Sequence, residues 1–153
     1  MELYPCDLLF VHRDCETSAV EDRQKEIYEA VSSAFSHKKE KDKLVVCVVP
    51  KRMTEAWLLL SEDVIRQASG NPSGKSSLSI PKLKDLETLP DPKETLFSLL
   101  KTASELHRRR LHSQNIHTMV HRVSELIDDF SPLKKLPAFI EFEKQLARAL
   151  DLL

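Results

Sequence analysis

"LVVCVV", residues 44–49, is apolar at every position. A strand with one wet face alternates apolar and polar residues. A run with no polar position signals a strand covered on both faces, as in a parallel sheet between helices. Pro50 ends it. Upstream, "DLLFVH", residues 7–12, has the length and the β-branched or aromatic content of another strand. Between the two, residues 17–35 read as a helix. Thr17 or Ser18 can cap it, Glu21 and Asp22 suit its positive N-terminal end, and Ile27, Ala30, Val31 and Ala34 recur at helical spacing. "SHKKEKDK", 36–43, is a solvated return loop. The first fifty residues are thus expected to form one βαβ unit with a right-handed crossover.

Working outward, "MTEAWLLLSEDVIRQA", 53–68, reads as a helix with Trp57, Leu60 and Val64 on one side. Residues 69–90 connect, richest in Gly, Pro and Ser over 69–81. Residues 91–153 form a helical C-terminal part. It opens on "DPKETLFSLLKTASEL", where Pro92 suits a first turn, is broken at Pro132 and Pro137, and ends in "PAFIEFEKQLARALDLL". The expected fold class is α/β: a parallel sheet flanked by helices with an all-α C-terminal part, in a single domain over 1–153 without internal repeats. Two strands do not make a stable sheet covered on both faces. Either a further strand hides in 76–90, or a partner completes the sheet, or the chain lacks a beginning.

Composition sets the bounds. The chain has 153 residues, enough for one domain with a real core. With 31% charged and 41% hydrophobic residues, a soluble globular protein is the default class. A net charge of −1 argues against a nucleic-acid coat or a polybasic membrane binder, so any nucleic-acid contact needs a local patch. No apolar run approaches the roughly 20 residues of a membrane helix, and the N-terminus lacks the pattern of a signal peptide. Cys6, Cys15 and Cys47 share no metal-ligand spacing and sit in or beside apolar runs. Buried reduced thiols in a cytoplasmic protein are expected, with Cys15 quieted by the acids on either side of it.

Some stretches suggest chemistry. "GNPSGKSS", 70–77, evokes a phosphate-binding loop, but Gly70 and Gly74 have three residues between them where that motif needs four. The segment also follows a helix and precedes "LSIP", the reverse of the required context. A flexible surface loop is the expectation. His117 and His121 would share a helical face, yet no further zinc ligands accompany them, and His107 and His112 are out of register. "HRRR", 107–110, is either a solvated face or a phosphate-binding patch. Asp14 and Glu16 stand apart. They fall just beyond the carboxyl end of the first strand, where open parallel sheets bind ligands. Two close carboxylates need a cation or an arginine to neutralise them. Magnesium is one solution; an ion pair with Arg13 is the other.

Four stretches in order, "HRDCE", "VVPKRMTEAWLLLSED", "LPDPKETL" and "ELIDDFSPLKKLPAFIEFEKQLARAL", resemble a bacterial Toprim-like family of unknown function. Its members often neighbour ATPases in anti-phage or mobile-element loci. The similarity spans about residues 7 to 150, and Glu55–Leu59 and Asp91–Lys93 are its most specific pieces. The resemblance implies magnesium-dependent cleavage of nucleic-acid backbones, with Asp14 and Glu16 as metal ligands. Glu16 departs from the family's Asp-x-Asp by a longer side chain. By the same resemblance Glu55 belongs to the pocket, Lys93 contacts a scissile phosphate, and Arg52 does likewise or holds Glu55. The family pattern also has an earlier strand bearing a catalytic glutamate. This chain begins too late to contain it, Glu2 being followed by Tyr-Pro, so a truncated, split or mis-started relative is expected.

Two functions follow as expectations. One is a magnesium-dependent Toprim-like nuclease subunit, complete or degenerate, acting with a partner ATPase on DNA or RNA. The other is a non-catalytic interaction module. Its C-terminal apolar positions Leu136, Phe139, Ile140, Phe142, Leu146 and Leu150 either dock a partner or pack on the chain's own sheet.

Overall fold

The computed structural model describes residues 6–35, 43–107 and 115–153. The 36–42 part of the expected return loop, Arg108–Arg110, His112 and Glu2 lie outside the described residues. The chain forms two compact units, one of residues 1–51 with 135–153 and one of residues 52–134. The architecture is mixed α/β, mostly helical, with a small parallel sheet.

In the first unit, β1 (Leu8–His12) and β2 (Leu44–Val48) pair in parallel, Leu8 opposite Leu44 and His12 opposite Val48. The helix α1 (Val20–Phe35) connects them, its first turn carrying Glu21 and Asp22 as its dipole favours. Cys15, Ile27, Cys47 and Val49 form the buried centre, with Val11, Val20, Val31 and Val45 packed against it. The apolar run therefore does mark a strand covered by helix. A final helix, here α5 (Pro137–Leu150), packs against β2. Its Gln145 Oε1 accepts the outward-facing Cys47 N–H at 2.9 Å, which stands in for a neighbouring strand on that edge. Leu136 and Phe139 are buried and Ile140, Phe142 and Leu146 half-buried, so most of the apolar seam is covered within the chain. Leu150 remains 55% exposed.

The second unit is helical. The expected helix over 53–68 is two elements. A 3-10 helix, Thr54–Leu58, leads into a break, and α2 (Glu62–Ala68) starts afresh at Ser61, whose hydroxyl accepts the Val64 N–H at 3.4 Å. Glu62 and Asp63 in the first turn then favour a helix N-terminus at that point. No strand lies in 76–90; a 3-10 helix, Leu83–Thr88, occupies its centre. The sheet therefore has two strands among the described residues. α3 (Pro92–Ser104) has Asp91 as its cap, accepting the Glu94 N–H at 2.8 Å, with Pro92 in the first turn as expected. α4 (Ile116–Leu126) is capped by Asn115. Pro132 lies in a 3-10 turn, Ser131–Lys135, and Pro137 opens α5, so both prolines mark boundaries. Leu59, Ile65, Leu86, Leu96, Leu100, Val123 and Leu133 are fully buried side chains of this unit.

The 70–77 segment is tied down, contrary to the flexible loop expected. The Glu105 carboxylate accepts the consecutive N–H groups of Lys75 and Ser76, both at 2.6 Å. Asn71 Nδ2 donates to Ala103 O at 2.9 Å. The bonds from Ser76 and Lys75 hold the Glu105 carboxyl well down, at about 2. A carboxyl whose folded pKa is depressed stabilises fully above its unfolded value and loses that contribution as pH falls through the folded one. Wild type is therefore expected to lose thermal stability between about pH 4.5 and pH 2 through this contact. In Glu105→Gln the Tm lies below wild type at neutral pH. Melting curves across that range should show the gap closing as the acid protonates.

Candidate functional site

The parallel pairing continues past β1. Arg13 N–H donates to Val48 O at 3.1 Å and Cys15 N–H to Pro50 O at 2.9 Å, drawing the chain along β2 as far as the acid pair. Asp14 and Glu16 thus sit immediately beyond the carboxyl end of β1, as expected from a parallel sheet. Glu16 has φ +55°, a left-handed conformation uncommon for a residue other than glycine. Glu16 lies in the turn that leads to α1, closed by the Ser18 N–H donating to Cys15 O at 3.0 Å.

Each acid faces its own basic side chain. Asp14 Oδ1 lies 3.1 Å from His12 Nε2. Glu16 Oε2 lies 3.9 Å from Arg23 Nη2, with the Glu16 side chain 71% exposed. Arg13, expected as the alternative partner of the pair, engages Glu26 at 2.9 Å. Arg23 also grips Glu26, donating through Nη1 to both carboxylate oxygens at 2.9 Å. The Arg23 hydrogen bond, followed by the charges of Arg23 and Arg13, holds the Glu26 carboxyl below its ordinary range. The same contact raises the Arg23 guanidinium. Arg23 Nε is buried without a hydrogen-bond partner. The charged groups beyond β1 therefore fall into two sets, His12 with Asp14, and Glu16, Arg23, Glu26 and Arg13. Sequence reasoning does not reach His12, Arg23 and Glu26; the Arg23–Glu26 spacing of three on a helix is the available signal.

Cys15 is buried and its Sγ contacts Ser18 O at 3.1 Å. Its thiol is pushed up, mainly by burial; Arg23 opposes this, and the nearby acid Glu21 adds to it. The direction matches the expectation, the principal cause differs. Cys47 is likewise pushed up by burial, and the Tyr28 hydroxyl bonded to it is driven to about 12 by desolvation and that bond. Cys6 is half-buried, and all three cysteines are free thiols.

Arg52, Glu55 and Lys93 belong to the second unit. Arg52 and Glu55 are half-buried, Glu55 in the first turn of the 3-10 helix Thr54–Leu58. Lys93 is exposed near the start of α3, with Nζ 5.8 Å from the Phe97 ring centre. A lysine is unfavourable at the positive end of a helix, and the ring face offsets part of that. His117 packs edge-on against the same Phe97 ring at 5.6 Å, while His121 faces Glu125 at 3.4 Å. The two histidines thus have separate partners.

Metal fit rests on the donors at β1. Two carboxylates supply the hard oxygens that a hydrated magnesium takes, and Glu16 is exposed enough to turn from Arg23. Among the described residues no group of three or more His, Cys, Asp and Glu is arranged to hold a metal ion. A site here would hold the ion through Asp14 and Glu16 alone.

Fold and site together define a mixed α/β protein with a small parallel sheet and an acid pair beyond one strand end. Comparison with protein-family models, curated proteins and solved structures returns no match to this chain. No helix among the described residues is long and apolar enough to cross a membrane.

Proposed function

We propose that the chain is a Toprim-like subunit for magnesium-dependent cleavage of nucleic-acid phosphodiesters, with Asp14 and Glu16 as the metal ligands. The reading is carried by one observation: both acids follow directly on the carboxyl end of β1 in a parallel β1–α1–β2 unit, with Glu16 in a strained left-handed turn. Backbone strain concentrates where loops present functional groups. The resemblance through "HRDCE", Glu55–Leu59 and Asp91–Lys93 motivates the same reading. A bound magnesium would neutralise phosphate charge there. By the same resemblance Lys93 is a candidate for phosphate contact, and Arg52 is another or holds Glu55.

Magnesium binding to the native state should raise stability by mass action, by about 2.7 kcal/mol at a hundred times Kd. The Tm of the wild type is expected to climb with millimolar magnesium, and that of Asp14→Ala to stay flat. A wild-type Tm unmoved by the ion sinks the proposal.

A second reading is favoured by a separate observation. Leu150, Leu152 and Leu153 are 55%, 73% and 66% exposed at the end of α5. They suit a module that docks a partner ATPase through apolar contact. Labelled single- and double-stranded DNA separates the two. Metal-dependent cleavage lost in Glu16→Ala belongs to the nuclease. Binding of a partner ATPase, weakened by Leu152→Asp and without cleavage, belongs to the module.

A further inference from the structure

The two edges of the sheet are treated differently. The outer edge of β2 is covered by α5 and its Gln145. β1 has β2 as its one strand neighbour among the described residues. Leu44 N–H donates to Asp7 O and Arg13 N–H to Val48 O, both at 3.1 Å, so the odd-numbered residues of this strand turn their backbone groups toward β2. By strand alternation the N–H and C=O of Leu8 and Phe10 turn away from it. Phe10 is 51% exposed on this edge strand. An edge of this kind is a template for a further strand unless it is blocked.

We propose that β1 is a homodimer interface, pairing antiparallel with β1 of a second copy about a two-fold axis at Phe10. The residue pattern selects the occupant and the register. Centred on Phe10, the pairing sets Leu8 opposite the second copy's His12 and Leu9 opposite its Val11. It also sets Asp7 opposite its Arg13, and the same pairs recur on the other side of the axis. The outward backbone groups of Phe10 then face their equivalents, as a hydrogen-bonded antiparallel pair requires. Asp7 and Arg13 are both exposed, Arg13 by 52% even with its Nε on Glu26 at 2.9 Å, so the second copy's Asp7 would share its guanidinium; both fall in non-hydrogen-bonded positions where side chains approach most closely. One short strand thus carries opposite charges at its two ends, the arrangement an isologous contact needs. The product is a four-stranded sheet, β2–β1–β1–β2, which removes the weakness of an isolated strand pair. A shift of one residue would put inward-facing backbone at the axis and lose the charge match.

Sedimentation equilibrium of the full chain tests this. The wild type is expected to dimerise with a Kd below about 0.1 mM. Phe10→Pro removes an outward N–H without touching the β1–β2 ladder, since proline is tolerated on an edge. Asp7→Arg replaces a solvent-exposed side chain and sets like charges opposite each other. Each should raise Kd about tenfold or more. Arg13→Asp should do the same. An equimolar mixture of Asp7→Arg with Arg13→Asp should dimerise again, because the hybrid restores both charge pairs. A monomeric wild type, or a dimer indifferent to Phe10→Pro and Asp7→Arg, overturns the proposal. Loss in the single variants with no recovery in the mixture overturns the register. Circular dichroism of each variant checks the fold, and Asp7→Arg carries the test if Phe10→Pro unfolds.

Discussion

Leu100→Ala is expected to destabilise the second unit by about 3 kcal/mol, the middle of the range for a buried leucine cut back to alanine. Leu100 is fully buried on α3. With Leu96, Leu99 and Ala103 it makes the buried stripe of that helix, at spacings of three and four. α3 meets α2, α4 and the 3-10 helix Thr54–Leu58, so the stripe is enclosed by several elements. A cavity left at its centre therefore has little scope to collapse, which places the cost above the simple loss of apolar transfer. The measurement is direct. Trp57 is the single tryptophan of the chain and is buried in the same unit, so its fluorescence follows that unit's unfolding in urea. With a slope of about 2 kcal/mol/M, the midpoint should fall by about 1.5 M. Leu150→Ala, at a 55% exposed position, should stay within about 0.5 kcal/mol of wild type. A midpoint for Leu100→Ala that matches the Leu150→Ala control would show that α3 is not the centre of this core.

Both strands and the helix between them are legible because apolar runs and helical spacing are local signals, although α1 starts at Val20, after the Thr17 or Ser18 expected to cap it. Val46 and Cys47 are buried where an all-apolar run demands it. The helix expected over 53–68 divides because "AWLLL" is apolar on every side and carries no period. The Ser61-Glu62-Asp63 start signal inside it is the stronger local fact. The strand sought in 76–90 has no physical basis beyond the need for a third strand, and Pro81 and Pro90 delimit a 3-10 segment instead. The position of Asp14 and Glu16 is legible, since it follows from where β1 ends. Their partners are not. Arg13 adjoins Asp14 in sequence, yet it reaches Glu26 on α1, and Glu16 meets Arg23. Neighbours in a strand point to opposite faces, so a residue's charge partner depends on which helix covers its own face. That information lies in tertiary packing, outside any window of sequence.

Arg66→Ala is expected to cost about 2–4 kcal/mol, and the reason explains why the segment after α2 needs a glycine. The Arg66 side chain is 9% exposed. Its Nη2 donates to Glu62 Oε1 and to Ser76 O, both at 2.6 Å, and its Nε also reaches Glu62 at 2.9 Å. Glu62 is 47% exposed, so the ion pair itself contributes modestly. The larger part comes from the Ser76 carbonyl, which loses a charged donor, and from the space vacated by the buried stem. Gly74 lies against this group. A Cβ there would meet Asn71 Nδ2 at 2.6 Å and Arg66 Nη1 at 3.1 Å, while Asn71 is committed to Ala103 O. The "GNPSGKSS" glycine thus makes room for a guanidinium and an amide of this chain, and the Lys75 and Ser76 N–H groups that follow it are taken by Glu105. Arg66 Nη1 is buried without a hydrogen-bond partner, a cost the wild type already carries. Arg66→Met keeps the volume and removes that cost, so it should lose about half as much stability as Arg66→Ala. Urea unfolding of both variants decides between the roles. Equal losses would mean that the hydrogen bond to Ser76 dominates. A Met variant at wild-type stability would mean that Arg66 holds the segment by bulk alone.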